Sequence, residues 1–156
     1  MYKAYDLYNQ IKAFFGSDTQ DDDMVSVHVR RTDYILSKDY HFNLQKDYYQ
    51  KALTMANRKK IVVFSDDIQW CKANIDKSWY DYDNIYFVDS GIVELEFILM
   101  SLFQHNIIAN STYSLWASFI STYQNPKIII APKMWNAHQA SQNWDEIYHK
   151  YITHII

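Results

Sequence analysis

Glycine is nearly missing from this chain, which has only Gly16 and Gly91 among 156 residues. Two distant glycines cannot build a G-x-G-x-x-G turn or a P-loop, so Rossmann dehydrogenases and P-loop kinases are excluded. With only two prolines as well, long flexible linkers are not expected. The lone cysteine, Cys71, forbids an internal disulfide and fits a reducing compartment. Following Trp70 in mid-helix, it suits packing better than nucleophilic work, and no G-x-S-x-G elbow is present. The six histidines are scattered, without the His-x-x-x-His or Cys-x-x-Cys spacing of a zinc site. No stretch reaches the roughly 18 apolar residues of a membrane span, and the opening MYKAYDLYNQ has no signal-peptide core. A soluble, cytoplasmic chain is expected. Its net charge of −3 offers no general attraction to nucleic acid or anionic lipid, so any anion site must be local.

What is plentiful is aromatic and β-branched sequence: aromatics make up 17% of the chain. The length supports one core, so residues 1–156 are read as a single domain. Tyr5, Tyr8, Ile11, Phe14 and Phe15 recur at helical spacing and predict an amphipathic helix over 1–16. The run SDTQDDD at 17–23 reads as a solvated loop rather than a metal site. Beyond it, strands are predicted at Met24–Val29, Ile61–Phe64, Ile85–Val88, Ile107–Ala109 and Lys127–Ala131. Helices are predicted near 45–57, 67–75, 93–105, 112–122 and 142–154, with a polar loop over 31–44. Short apolar strands alternating with helices imply an α/β fold, a doubly wound parallel sheet covered on both faces. In such sheets ligands bind beyond the carboxyl ends of the strands.

Three polar clusters fall at those ends. His28-Val29-Arg30-Arg31-Thr32-Asp33 leaves a strand directly into a loop, placing two guanidinium groups at the ligand edge. Arginine suits phosphate because its planar fork grips two oxygens, although a surface pair held by Asp33 fits the residues equally well. Ser65-Asp66-Asp67 ends the second strand. Its carboxylates are suited to a divalent metal, to ribose hydroxyls or to the N–H groups of guanine, and Ser65 or Asp66 is equally suited to capping the next helix. Asn110, Ser111, Thr112 and Ser114 stand at a strand-to-helix turn, where donors gather at the positive helix end or simply cap it. Asn110-Ser111-Thr112 matches the N-glycosylation pattern, a match read as accidental at the end of a buried strand.

Taken together these clusters resemble the inverting fucosyltransferases, most closely the bacterial-type α-1,2 group. The signature His-x-Arg-Arg-x-Asp is met by His28, Arg30, Arg31 and Asp33. The likeness continues through YYQKAL (48–53), VVFSDD (62–67), LMSLFQHNIIANSTYSLWAS (99–118) and KIIIAPKMW (127–135). Where Thr32 and Ala117 stand the family usually has Gly, and where Leu115 stands an aromatic. The resemblance implies the Rossmann-like, donor-binding half of a GT-B glycosyltransferase, with the acceptor-side half absent from this chain. It implies a galactoside α-1,2-fucosyltransferase that transfers L-fucose from GDP-fucose with inversion, needing no metal and no cofactor. Arg30 and Arg31 would stabilise the leaving GDP. His28 and Asp33 would orient them, Asp66 or Asp67 would read guanine or ribose, and Asn110, Ser111, Thr112 and Ser114 would line the phosphate site. The implied partners are GDP-fucose and a galactose-containing glycan, with no nucleic acid, and with peripheral association where glycan acceptors are membrane-borne. Two other readings remain open: a non-catalytic GDP-sugar-binding domain, and a small α/β interaction protein with a structural arginine pair.

Overall fold

A computed structural model describes residues 2–36, 43–121, 127–135 and 152–156. At its centre lies the strand β1, Met24–Val29, all six of whose residues are buried. A run apolar on both faces can be stable only with cover on both sides, and β1 has it. Its odd residues Val25, Val27 and Val29 pack with Ile61 and Val63 against Tyr49, Ala52 and Leu53 of α3, Lys46–Ala56, and Cys71 of α4, Ile68–Asn74. On the opposite face Met24 packs with Val62 and Phe64 against Ala4, Tyr8 and Ile11 of α1, Tyr2–Phe15, and Leu99 and Met100 of α5, Val93–Ser101. The period of two along each strand is what sorts one apolar run into two cores.

The other strands are β2, Lys60–Ser65; β3, Asn84–Phe87; β4, His105–Ile107; β5, Ile129–Ala131; and β6, His154–Ile155. All pair in parallel, in the order β3-β2-β1-β4-β5-β6. The doubly wound α/β fold read from the sequence is therefore the fold observed, with the Rossmann-like strand order. The remaining helices are α2, Thr32–Leu36, and α6, Thr112–Phe119. Glycine is scarce, so other devices end helices. Asn57 closes α3 in the left-handed region (φ 50°), which asparagine tolerates better than most side chains.

Several boundaries differ from expectation. The aspartates at 21–23 form a 3-10 turn whose carboxylates reach other elements. Asp21 accepts from Tyr8 and Lys12 of α1, Asp22 meets Arg58 and His105, and Asp23 accepts from the backbone of Gln20 and pairs with Lys60. The run stays solvent-accessible, as expected of a charge run, but its carboxylates also tie α1, β2 and β4 together through these bonds. The loop predicted over 31–44 contains α2, while 37–42 lie outside the described residues. Helix α5 stops at Ser101, and β4 starts at His105, two residues before the predicted strand. Polar His105 and Asn106 look like strand breakers, yet both are buried and bonded: His105 to Asp22 (2.7 Å), Asn106 to the Ser26 hydroxyl (2.6 Å). The helix predicted over 142–154 falls mostly outside the described residues, and where its end is described His154 lies in β6, paired with Ile130. Among the described residues no helix is long and apolar enough to cross a membrane.

Candidate functional site

The chain runs outward through β1, β2 and β3, then returns to lay β4 on the other side of β1. The loops after β1 and β4 therefore part in opposite directions at the carboxyl edge, the switch point at which open α/β sheets take ligands in a crevice. Arg30 and Arg31 stand on one lip, and Asn110, Ser111 and the start of α6 on the other.

The first lip is built around a carboxylate from the neighbouring strand end. Asp66 Oδ1 accepts from the backbone N–H of Arg31 (2.9 Å), and Oδ2 accepts from the N–H of Thr32 (3.0 Å) and from its hydroxyl. Arg30 Nε also pairs with Asp66, at 3.4 Å. Both oxygens of Asp66 are thus engaged in shaping the β1–α2 turn. Thr32, standing where glycine is usual in the resembling family, supplies one of these bonds through its side chain. Asp67, rather than Ser65 or Asp66, caps α4: its Oδ1 accepts from Trp70 N (3.2 Å), while its own N–H donates to Ser65 Oγ (3.0 Å).

The arginines are held differently. Arg30 Nη2 donates to Asp33 at 3.0 Å, and although burial works against its charge, Asp33 and Asp66 together hold the guanidinium above its ordinary pKa. Arg31 lies flat over the indole of Trp70, Cζ 3.4 Å from the ring centroid, with Nε 3.4 Å from Asp67. Three carboxylates outnumber two guanidinium groups in this cluster. Any anion must therefore be recognised by oriented donors rather than by net positive potential.

His28 makes no side-chain hydrogen bond to this network among the described residues. It is buried, its ring 5.4 Å from that of Tyr113, and Nδ1 has no hydrogen-bond partner. No hydrogen bond joins its ring to either arginine among the described residues, whereas Asp33, expected beside it in the same role, bonds Arg30 directly. Burial pushes its pKa down to about 4, Asp66 opposing and Arg30 adding, which leaves the imidazole neutral at pH 7.

On the second lip Ser111 is the N-cap of α6 without a side-chain cap bond, and Thr112 is exposed. Both residues stand where the first N–H groups of the eight-residue α6 form its positive end. Asn110 and Ser114 turn inward instead. The Asn110 amide donates to Trp135 O (2.7 Å), and Ser114 Oγ donates to Ser111 O (3.2 Å). The two lips are joined by Tyr34 of α2, whose buried hydroxyl donates to Asn110 O at 2.6 Å. Tyr113 ties α6 to α5 through Val93 O (2.9 Å). Sequence reasoning missed Trp70, Tyr34 and Tyr113 as site builders; the one available signal was Trp70 three residues after the capping Asp67. Among the described residues no group of three or more His, Cys, Asp or Glu converges as a metal-holding cluster.

Over residues 7–155 the chain matches the model of glycosyl transferase family 11. It is 36% identical over 122 residues to the O-antigen biosynthesis glycosyltransferase WbnK of Escherichia coli, covering 72% of this chain and 39% of that protein. An alpha-1,2-colitosyltransferase of Escherichia coli is 31% identical over 135 residues, 82% of this chain and 46% of the relative. The galactoside 2-alpha-L-fucosyltransferase SEC1 of Bos taurus is 29% identical over 104 residues, 62% of this chain and 28% of the relative. The chain thus spans less than half the length of each of these relatives. No solved structure gives a significant match.

Proposed function

The chain belongs to glycosyl transferase family 11, and we propose on that premise that its carboxyl-edge crevice binds GDP-fucose as donor for an inverting galactoside α-1,2-fucosyltransferase. The observation that carries this reading is that β1 leads into Arg30 and Arg31 and β4 leads into α6 on either side of the β1/β4 switch point of the sheet. A diphosphate spanning that crevice meets donors from both lips. As the sugar–phosphate bond breaks, negative charge develops on the departing GDP, where Arg30 and Arg31 stabilise it without a metal or cofactor. An acceptor hydroxyl of a galactose-containing glycan attacks from the opposite face, which inverts the anomeric centre. Ser111 and Thr112 hold phosphate directly, while Asn110 and Ser114 shape the turn that presents them. Asp66 acts through the arginines, and Asp67, already bonded to Trp70 N–H and Arg31 Nε but with a side chain 33% exposed, offers its remaining lone pairs to guanine or ribose.

Two relatives bear names that specify position 2 of the linkage but differ in sugar, colitosyl in one and fucosyl in the other. That supports the linkage more firmly than the identity of the sugar. A GT-B partner half facing the crevice, a cytoplasmic or membrane-peripheral setting and the absence of a nucleic-acid partner belong to the same proposal. Calorimetric titration of this chain with GDP and UDP, chelator present, tests the donor site. GDP is expected to bind more tightly than UDP, and Arg30→Ala to weaken GDP by about 1.5–3 kcal/mol, one charge-assisted bond. Binding that needs added Mg²⁺ or Mn²⁺, or equal affinity for UDP, would sink the donor assignment.

A further inference from the structure

Arg31 emerges from β1 on the face covered by α3 and α4, the side chosen by the alternation that sends Val25, Val27 and Val29 there. Helix α4 begins immediately beyond the carboxyl end of β2, the strand paired with β1 in register from Met24 opposite Lys60 to Val29 opposite Ser65. Helical side chains lean toward the N-terminus of their helix, so a large residue in the first turn of α4 reaches back over the sheet edge. Trp70 occupies that position. Its indole is braced edge-on by Trp79 (6.2 Å, 71°), and its backbone N–H fixes Asp67, the carboxylate that faces Arg31 Nε. The Arg31 guanidinium therefore has one planar face on the indole, its Nε toward Asp67, and its backbone N–H on Asp66. Only the Nη1 and Nη2 edge has no protein acceptor among the described residues. That edge is the fork which grips two oxygens of a phosphate.

We infer that Trp70 is a positioning residue for ligand binding: it fixes the Arg31 guanidinium at the carboxyl edge of β1 and β2 with the Nη edge left unpartnered among the described residues, so that an anion at that edge meets an arginine already oriented. The inference rests on the reading of the β1/β4 crevice as a diphosphate site. An indole does this work better than a smaller apolar side chain because its face attracts the cation while leaving every N–H free. Trp70 also packs beside the α3/α4 core, so its loss has a structural component that must be separated from positioning.

A double-mutant cycle separates them. GDP affinity is measured for the wild-type chain, Trp70→Leu, Trp70→Phe, Arg31→Ala and the Trp70→Leu/Arg31→Ala pair, each with a thermal melt. Trp70→Leu is expected to weaken GDP about tenfold and Trp70→Phe, which keeps a π face, about threefold or less. In the Arg31→Ala background, Trp70→Leu is expected to change GDP affinity no further, although its melting temperature still falls. Additive losses, or Trp70→Leu binding GDP like the wild type, would overturn the inference while leaving the crevice reading intact. Failure of the wild-type chain to bind GDP would overturn both. If Trp70→Leu does not fold, Trp70→Met fills similar space without a π face and takes its place in the cycle.

Discussion

Asp66 is the residue on which the β1–α2 turn depends most directly, because its two oxygens answer two consecutive backbone N–H groups and the Thr32 hydroxyl. Its side chain is only 16% exposed, so water cannot readily replace it. Asparagine is nearly the same shape but carries one acceptor oxygen and one donor. Whichever way the amide is turned, a donor then faces the N–H of Arg31 or that of Thr32. Asp66→Asn is expected to cost about 1–3 kcal/mol, the penalty of an unsatisfied shielded donor. At roughly 2–4 °C per kcal/mol for a domain of this size, the loss is readable by thermal melting followed by circular dichroism. An unchanged melting temperature would mean that the turn holds itself without the carboxylate.

At the scale of elements, α2 is the segment whose placement most affects the crevice. Five residues of helix cannot be stable by themselves, since the first turn costs more order than its few hydrogen bonds return. Tyr34 holds α2 down: its hydroxyl crosses from the β1 lip to Asn110 on the β4 lip, a contact between residues 76 apart in sequence. Tyr34→Phe keeps the ring and removes this bond, so a loss of about 1 kcal/mol is expected. Because α2 is a local unit, the effect should appear as faster hydrogen exchange at the Ile35 amide, which donates to Arg31 O (2.8 Å), with little change in exchange along β1. Equal acceleration in β1 would show that Tyr34 supports the whole fold rather than its turn.

Across the whole molecule, two buried histidines couple folding to pH. His28 is held down to about 4 by burial, and His105, also by burial, sits below its ordinary value despite its bond to Asp22. The Nδ1 of His105 accepts from Ile128 N (3.1 Å), so its proton resides on Nε2 and is donated to Asp22. A second proton would have to displace the Ile128 bond. Both folded-state pKa values lie below the unfolded value near 6.5, so the unfolded chain binds protons first as pH falls. Stability is therefore fully present above about pH 6.5 and declines below it, with His28 contributing on the order of 3 kcal/mol by about pH 4. Urea unfolding between pH 7.5 and about 4.5 is expected to show this fall, and His28→Phe, which keeps a ring against Tyr113, to flatten it. A variant with the wild-type slope would locate the proton uptake elsewhere.

The sequence alone determined the fold class, because MVSVHV, IVVF and KIIIA are short β-branched apolar runs that alternate with helical segments, the pattern of buried parallel strands. It also marked the arginine pair and the Ser65–Asp67 and Asn110–Ser114 turns, since each cluster directly follows a strand and strand ends carry ligands in this architecture. What only the tertiary structure decided is how those side chains divide their work. Asp66 and Asp67 are adjacent in sequence, yet one organises a neighbouring loop and the other caps its own helix. His28 and Asp33 belong to one motif, yet Asp33 reaches Arg30 while His28 packs against Tyr113. The start of strand β4 escaped the hydropathy pattern, which placed the strand at Ile107–Ala109, because His105 and Asn106 are polar, and their burial rests on partners 83 and 80 residues away. Local pattern records what a residue is able to face; which of two possible partners it meets depends on strands brought side by side from distant parts of the chain, and no spacing rule along the chain contains that information.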